Sequence, residues 1–138
     1  MAEYLKPLPV PDGDTQPYWD AAREHQLKIQ RCLDCQRAIF YPRSVCPHCM
    51  SDRIAWIEAS GRGVIYSYTV VHRAPPPFKE DAPYVVALID LAEGVRLMSN
   101  VVECAPSDVR IGAAVEVVFE DVTPEITLPK FRLIGGKA

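Results

Sequence analysis

Cys32-Leu33-Asp34-Cys35 and Cys46-Pro47-His48-Cys49 are two cysteine brackets of identical spacing. Two thiols three residues apart on a tight turn aim at one point, and two such turns supply the four sulfur ligands of a tetrahedral metal site. The stretch between them, Gln36 to Val45, is the length of one hairpin. The doubled spacing predicts a zinc ribbon ligated by Cys32, Cys35, Cys46 and Cys49. Zn2+ held by four thiolates has no coordination position left for a substrate. Its expected task is structural, because metal binding contributes about 10–16 kcal/mol in zinc-finger peptides, ample to hold up a subdomain too small to fold alone. The Cys-Pro-x-Cys turn also suits iron in a rubredoxin-like electron carrier, which stays open as an alternative. His48 lies between two ligands and reads as a solvent-facing bystander.

No catalytic constellation accompanies the metal site. Cys104 stands outside both brackets and precedes Ala105-Pro106; His72 and His25 are available, but nothing in the sequence arranges either to activate it. It reads as an ordinary thiol. Glycine-rich phosphate loops, metalloprotease helices and serine elbows are absent from the sequence. The expectation is a chain that makes and breaks no bonds by itself.

The elements that must position the sulfurs follow from pattern. Residues 1–14 read as an arm. Asp14 or Thr15 can cap a short helix with Pro17 in its first turn and Tyr18, Trp19 and Ala22 on one side. Leu27–Arg31 leads into the first bracket as a strand, Ala38–Tyr41 leaves it, and Ile54, Trp56 and Ile57 carry the chain out; helix and ribbon together span 15–60. Trp19 and Trp56 are expected to pack between helix and ribbon. Gly61 and Gly63 mark the boundary. From 61 to 138 the pattern is β: Arg62–His72, Tyr84–Leu91, Val95–Val102, Val115–Glu120 and Lys130–Ile134. Five strands, the first one long, fit a small closed barrel of the OB type. The fold class is thus mainly β, with an N-terminal helix and rubredoxin-like zinc ribbon followed by a five-stranded OB-type barrel. In the long strand, Val64, Tyr66, Tyr68 and Val70 fall on one face at period two, and the tyrosines are expected to fill the barrel, although such rings also stack bases. The loop from Pro75 through Phe78 to Pro83 is either a docking element or barrel packing.

The chain has 138 residues and a net charge of −3, which argues against a general nucleic-acid binder. Arg23 to Arg62 nevertheless holds seven basic residues against four acidic ones, so the ribbon is locally basic and suited to a phosphate-bearing ligand. Prolines and charges in the first ten residues, and no apolar run of membrane-spanning length, predict a soluble cytoplasmic protein. Reducing cytosol favours metal over disulfides for the four cysteines.

The order of these motifs resembles a known family. Tyr18-Trp19 is followed by Leu27 to Cys35, by Tyr41-Pro42-Arg43-Ser44-Val45-Cys46-Pro47-His48-Cys49, and by Ser60-Gly61-Arg62-Gly63 opening the long strand. Later come Pro83 to Ala87, Ile111-Gly112 and Leu128-Pro129-Lys130-Phe131. From about residue 17 to 134 the chain is similar to the acyl-CoA-associated OB-fold family with an N-terminal rubredoxin-like zinc ribbon, long catalogued as a domain of unknown function. Gln36 and Met50 depart from it, standing where the family commonly has glycine after each bracket, and Tyr41 replaces the first of a usual proline pair. The resemblance implies a hetero-oligomer: a non-catalytic accessory subunit beside a thiolase-fold enzyme (thiolase, synthase or aldolase type), binding or channelling coenzyme A or acyl-CoA. It implies phosphate contacts at Arg43, Arg62 and Arg73, with Tyr66 and Phe78 near the pantetheine or the protein interface.

Two rivals remain at this level: a single-stranded nucleic-acid-binding OB-fold protein, opposed by the acidic charge, and the electron carrier. The visible spectrum separates the latter. The purified protein is expected to be colourless with one zinc per chain; visible ferric–thiolate absorption would reinstate the redox reading.

Overall fold

The structure is a computed structural model and describes residues 6–76 and 78–134. The first residues of the expected arm, Pro77 of the proline loop and the last residues of the 61–138 segment lie outside the described residues.

Helix α1 (Gln16–Arg23) follows Thr15, as expected, but Thr15 does not cap it with its own side chain. Asp12 instead orders the turn before the helix: its Oδ1 accepts the N–H groups of Asp14 and Thr15 at 3.0 and 2.9 Å, its backbone carbonyl accepts the Gln16 N–H at 2.8 Å, and Thr15 Oγ1 accepts the Asp12 N–H at 3.0 Å. The helix ends where His25 takes φ +60°. His25 N–H then bonds to Ala22 O and Gln26 N–H to Ala21 O, both at 2.9 Å, a Schellman closure that satisfies carbonyls of the last turn. Ala21 and Ala22, its buried residues, face inward.

Strands β1 (Lys28–Cys32), β2 (Ala38–Ile39) and β3 (Ile54–Glu58) form an antiparallel sheet in the order β2-β1-β3. The expected second strand is cut to two residues. Strands β4 (Arg62–Val71), β5 (Tyr84–Leu91), β6 (Arg96–Val101), β7 (Ala114–Asp121) and β8 (Thr127–Leu133) close into a barrel in the order β4-β5-β6-β8-β7. The β6–β8 contact is parallel and the others antiparallel, the OB arrangement. Strand β8 begins earlier than the sequence pattern suggests, at Thr127 and through Pro129. Thr127 Oγ1 donates to Asp121 at 2.6 Å and Val122 N–H to Ile126 O at 3.1 Å, so the β7–β8 hairpin closes before the proline is reached.

The long strand departs from simple alternation. Pairing with β5 runs Ile65 to Ile89 and then Ser67 to Leu88, leaving Tyr66 as the extra residue of a bulge. One inserted residue shifts the period-two phase. Ile65 is therefore buried before the bulge, Tyr68 and Val70 pack against the core after it, and Val64 and Tyr66 face out at 43% and 49% exposure. Tyr68 fills the barrel as expected; Tyr66 does not.

One continuous core runs through both sheets. Ile65, Val85, Ile89, Leu97, Val115 and Phe131 of the barrel pack together with Leu27 and Ile29, which belong to the ribbon side. Cys32, Ile39 and Cys46 form a second, small buried cluster at the brackets. Trp19 meets the Tyr18 ring edge-on at 4.9 Å. Half-buried Trp56 borders a hollow it shares with Pro17, Ala21 and Gln26 of the helix and the turn after it. Among the described residues, no helix is long and apolar enough to cross a membrane.

The entry to the barrel is tight. A Cβ on Gly63 would lie 2.5 Å from the carbonyl oxygen of Asp90 and 3.0 Å from Ile89, both on the neighbouring strand. The backbone cannot yield there without breaking β4–β5 pairing. Gly63→Ala is expected to destabilise the fold by about 1–3 kcal/mol, the usual cost of overpacking. Urea unfolding, with zinc held constant, measures it.

Candidate metal centre

Each bracket is built the same way. Cys32 ends β1, and its carbonyl accepts the N–H of Gln36 at 2.9 Å; the carbonyl of Cys46 accepts the N–H of Met50 at 2.9 Å. Cys32 N–H returns to Arg37 O at 3.0 Å and Cys46 N–H to Ser51 O at 2.8 Å. The turns close only if the residue after each bracket adopts a left-handed backbone, and Gln36 and Met50 do so at φ +66° and +67°. These are the two positions where the family resemblance expected glycine. The turns also aim amides at sulfur: Cys35 N–H to Cys32 Sγ at 3.4 Å and His48 N–H to Cys46 Sγ at 3.3 Å.

The result is four Sγ atoms within 4.8 Å of one another, with Cys32–Cys49 at 3.5 Å and Cys35–Cys46 at 3.7 Å. A tetrahedron with Zn–S bonds near 2.3 Å has edges of about 3.8 Å, so the donor set fits the ion. The sulfurs are too far apart for disulfides. The Cys35 amide and neighbouring donors draw the Cys32 thiol down to about 6. Cys49 is pushed up to about 12, because crowding by the other sulfurs and burial outweigh the N–H of Ser51. Thiolates this close repel one another unless a cation lies between them. His48 stands exposed beside the cluster and is not among its ligands. Cys104 is half-buried, away from the cluster, with its thiol raised by burial first and by the charge of Asp108 second.

Around the metal, Asp34 pairs with Arg53 at 2.6 Å and accepts from Ser51. Buried Gln30 on β1 clamps the backbone of Arg43, accepting its N–H at 2.8 Å and donating to its carbonyl at 2.9 Å.

The five residues expected near a coenzyme A are dispersed. Arg43 is exposed in the ribbon loop, its Nε donating to Tyr41 O at 3.2 Å. Arg62 opens β4 opposite Glu116. Arg73 is exposed just past the other end of the strand, eleven residues on, a path of up to about 36 Å at a rise of about 3.3 Å per residue. Phe78 lies at the Arg73 end, 6.5 Å from the Tyr84 ring, in a cleft of about 640 Å³ also lined by Lys6, Asn100, Phe119 and Lys130. Tyr66 sits between the ends, on the outside. Sequence reasoning missed Arg96, whose guanidinium lies 3.4 Å over the Tyr66 ring while bonding Asp90 at 2.6 Å. It also missed the His25–Asp121 contact at 3.0 Å, which ties the end of α1 to β7 with His25 stacked on Phe119 at 5.1 Å.

Fold and site together define a zinc-ribbon OB-fold protein. Its two parts match two family models in turn: the ChsH2 rubredoxin-like zinc ribbon domain over residues 19–55 and the ChsH2 C-terminal OB-fold domain over 56–120. The chain belongs to the ChsH2 (DUF35) family. It is 44% identical over 106 residues to a DUF35 domain-containing scaffold protein of Methanocaldococcus jannaschii, covering 75% of each chain. It is 43% identical over 128 residues to a probable enoyl-CoA hydratase alpha subunit of Thermomonospora curvata, covering 93% of this chain and 40% of that protein. The chain thus spans well under half the length of that relative. Among solved structures, the Ltp2-ChsH2(DUF35) aldolase contains a chain superposing with a TM-score of 0.82 at 42% identity, over 91% of this chain and 98% of that one.

The left-handed bracket residues give a direct test. Met50 is 75% exposed, so its side chain contributes little packing. Met50→Gly is expected to leave stability unchanged or raise it by up to about 1 kcal/mol, because left-handed backbone costs a non-glycine residue about 1–2 kcal/mol and glycine returns part of this as chain entropy. Thermal unfolding of the zinc-loaded protein reads the change; a fall in Tm would contradict the assignment.

Proposed function

We propose that this chain is a non-catalytic accessory subunit of an enzyme acting on acyl-CoA, its partner a thiolase-fold protein that forms or cleaves a carbon–carbon bond beside the thioester carbonyl. The observation that carries the reading is the clustering of the four bracket sulfurs within 4.8 Å of one another, a donor set that would fill all four positions of a tetrahedral zinc and leave none for a substrate. Its support comes from relatives named as a scaffold protein and as a hydratase alpha subunit, and from the likeness to a chain of an aldolase complex. The partner supplies the reacting groups, and this chain supplies stability and a wall for the thioester.

Only one end of the barrel can meet the diphosphate, because Arg62 and Arg73 are too far apart to share it. We assign the Arg73 end. There the cleft beside Phe78 and Tyr84 offers apolar surface to a pantetheine arm, with Lys6 and Lys130 at its edge. Both lysines are already engaged, Lys6 with Asp81 and Lys130 with Glu120. Arg73, exposed at the same end of the strand, is the cation we assign to phosphate; Arg62, Arg43 and Tyr66 then serve the protein interface.

The reading predicts that the purified chain alone turns over no acyl-CoA, and that adding it to the catalytic subunit of its native complex raises the subunit's rate. Arg73→Ala in the reconstituted complex is expected to raise KM for the acyl-CoA roughly 10-fold, the loss of one charge contact worth about 1.4 kcal/mol, with kcat little changed. Turnover by the isolated chain would overturn the accessory role. An unchanged KM would remove Arg73 from the binding site.

A further inference from the structure

The two sides of the barrel differ in chemistry. On β7 and β8 the outward positions carry an ion-pair network: Arg132 with Glu116 and with Glu103 from the connection after β6, and Lys130 with Glu120. On the other side, the register places the outward residues of three adjacent strands in one sheet surface. Val64 and Tyr66 lie on β4, Val86 and Leu88 on β5, and Met98 on β6 directly opposite Leu88. Leu88 and Met98 are 36% and 69% exposed. Between Val64 and Val71, Tyr84 and Asp90, and Arg96 and Asn100, the charged outward residues are Asp90 and Arg96, and they neutralise each other.

The bulge turns Tyr66 onto this face, and Arg96 lies flat against its ring. The mutual pairing lowers the Asp90 carboxyl and raises the Arg96 guanidinium, so the face stays neutral across the physiological range. A tyrosine backed by an arginine is the pair of residue types enriched in binding hot spots, and exposed Met98 is of a type enriched at interfaces. Oligonucleotides dock on this side of many OB barrels, but they require free cations, and here the one cation is engaged and covers the stacking ring.

We propose that the outer face of β4–β5–β6, centred on Tyr66, Leu88 and Met98, is the surface on which the catalytic acyl-CoA subunit docks through an apolar, uncharged patch of its own. The proposal rests on the accessory-subunit reading. Neutrality selects an uncharged partner surface. A different polypeptide is favoured over a second copy because relatives of this chain are named as the alpha subunit of a hydratase and as one part of an aldolase. The face is continuous with the cleft, since Tyr84 and Asn100 belong to both, so a subunit seated there closes over the Phe78 end.

The test uses the full chain, tagged and expressed in its native host, as wild type, as Leu88→Glu with Met98→Glu, as Leu88→Ser with Met98→Ser, and as Arg132→Ala on the charged side. Zinc content and melting temperature establish folding, and retained polypeptides are identified and assayed for acyl-CoA turnover. Wild type and Arg132→Ala are expected to retain a stoichiometric acyl-CoA enzyme subunit. The glutamate pair weakens it on the order of 100-fold, about tenfold per buried charge, and the serine pair less. Full retention by the glutamate pair, or by a folded serine pair should the glutamates unfold the chain, overturns the docking surface and leaves the accessory role standing. If wild type retains no second polypeptide, the accessory reading fails first. If the purified wild type is a dimer that the substitutions dissociate, the face is a self-interface and the proposal is wrong.

Discussion

Strand β1 is fastened twice, and the rest of the molecule depends on that double attachment. Its last residue, Cys32, is one of the four clustered thiols able to hold a metal ion, and Ile29 three residues earlier is fully buried in the core that also holds Ile65, Ile89 and Phe131 of the barrel. A ribbon with β2 cut to two residues has too little apolar surface to fold alone. The four sulfurs replace that missing core locally. Because β1 belongs to both clusters, whatever fixes the brackets also fixes one wall of the barrel's packing. Gln30, on the opposite side of the same strand, extends the order to the Arg43 loop.

This construction suits a chain whose surfaces do the work. A closed four-thiolate site contributes rigidity without reactivity. The barrel then presents one face of paired charges and one neutral apolar face, held in fixed relation to a cleft. The contact of His25 with Asp121 and Phe119 pins the helix end against β7, so the helix joins the barrel directly as well as through β1. Such a body can position a partner and line the entrance of a thioester without supplying a nucleophile.

The parts legible in the sequence were those where residue type alone carries the chemistry. Cysteine at a doubled spacing names its ligand role, and five alternating segments with glycine and proline between them name a small barrel. Residue 66 was not legible, because the period-two pattern runs through the bulge unbroken and only the pairing with Leu88 reveals the extra residue. Pro129 read as loop because a proline inside a strand is rare, yet the hairpin is already closed by Thr127 and Asp121 when the chain reaches it. Thr15 does not cap the helix with its side chain, because that hydroxyl and the Asp12 carboxylate bond each other's backbone in the turn before it. Surface roles were the least visible: an outward Leu or Met in a strand looks like core until register decides its face. The arginines expected on one ligand prove to lie at opposite ends of β4, a separation that sequence proximity conceals.

The central claim is that ribbon and barrel form one zinc-braced unit. Hydrogen exchange of the full chain before and after zinc removal by a chelator tests it most directly. The account predicts that chelation strips protection from β1 and from the barrel amides packed on it, Ile65 and Ile89 among them, together and to a similar degree. Barrel amides that keep their full protection while the ribbon alone exchanges would contradict it.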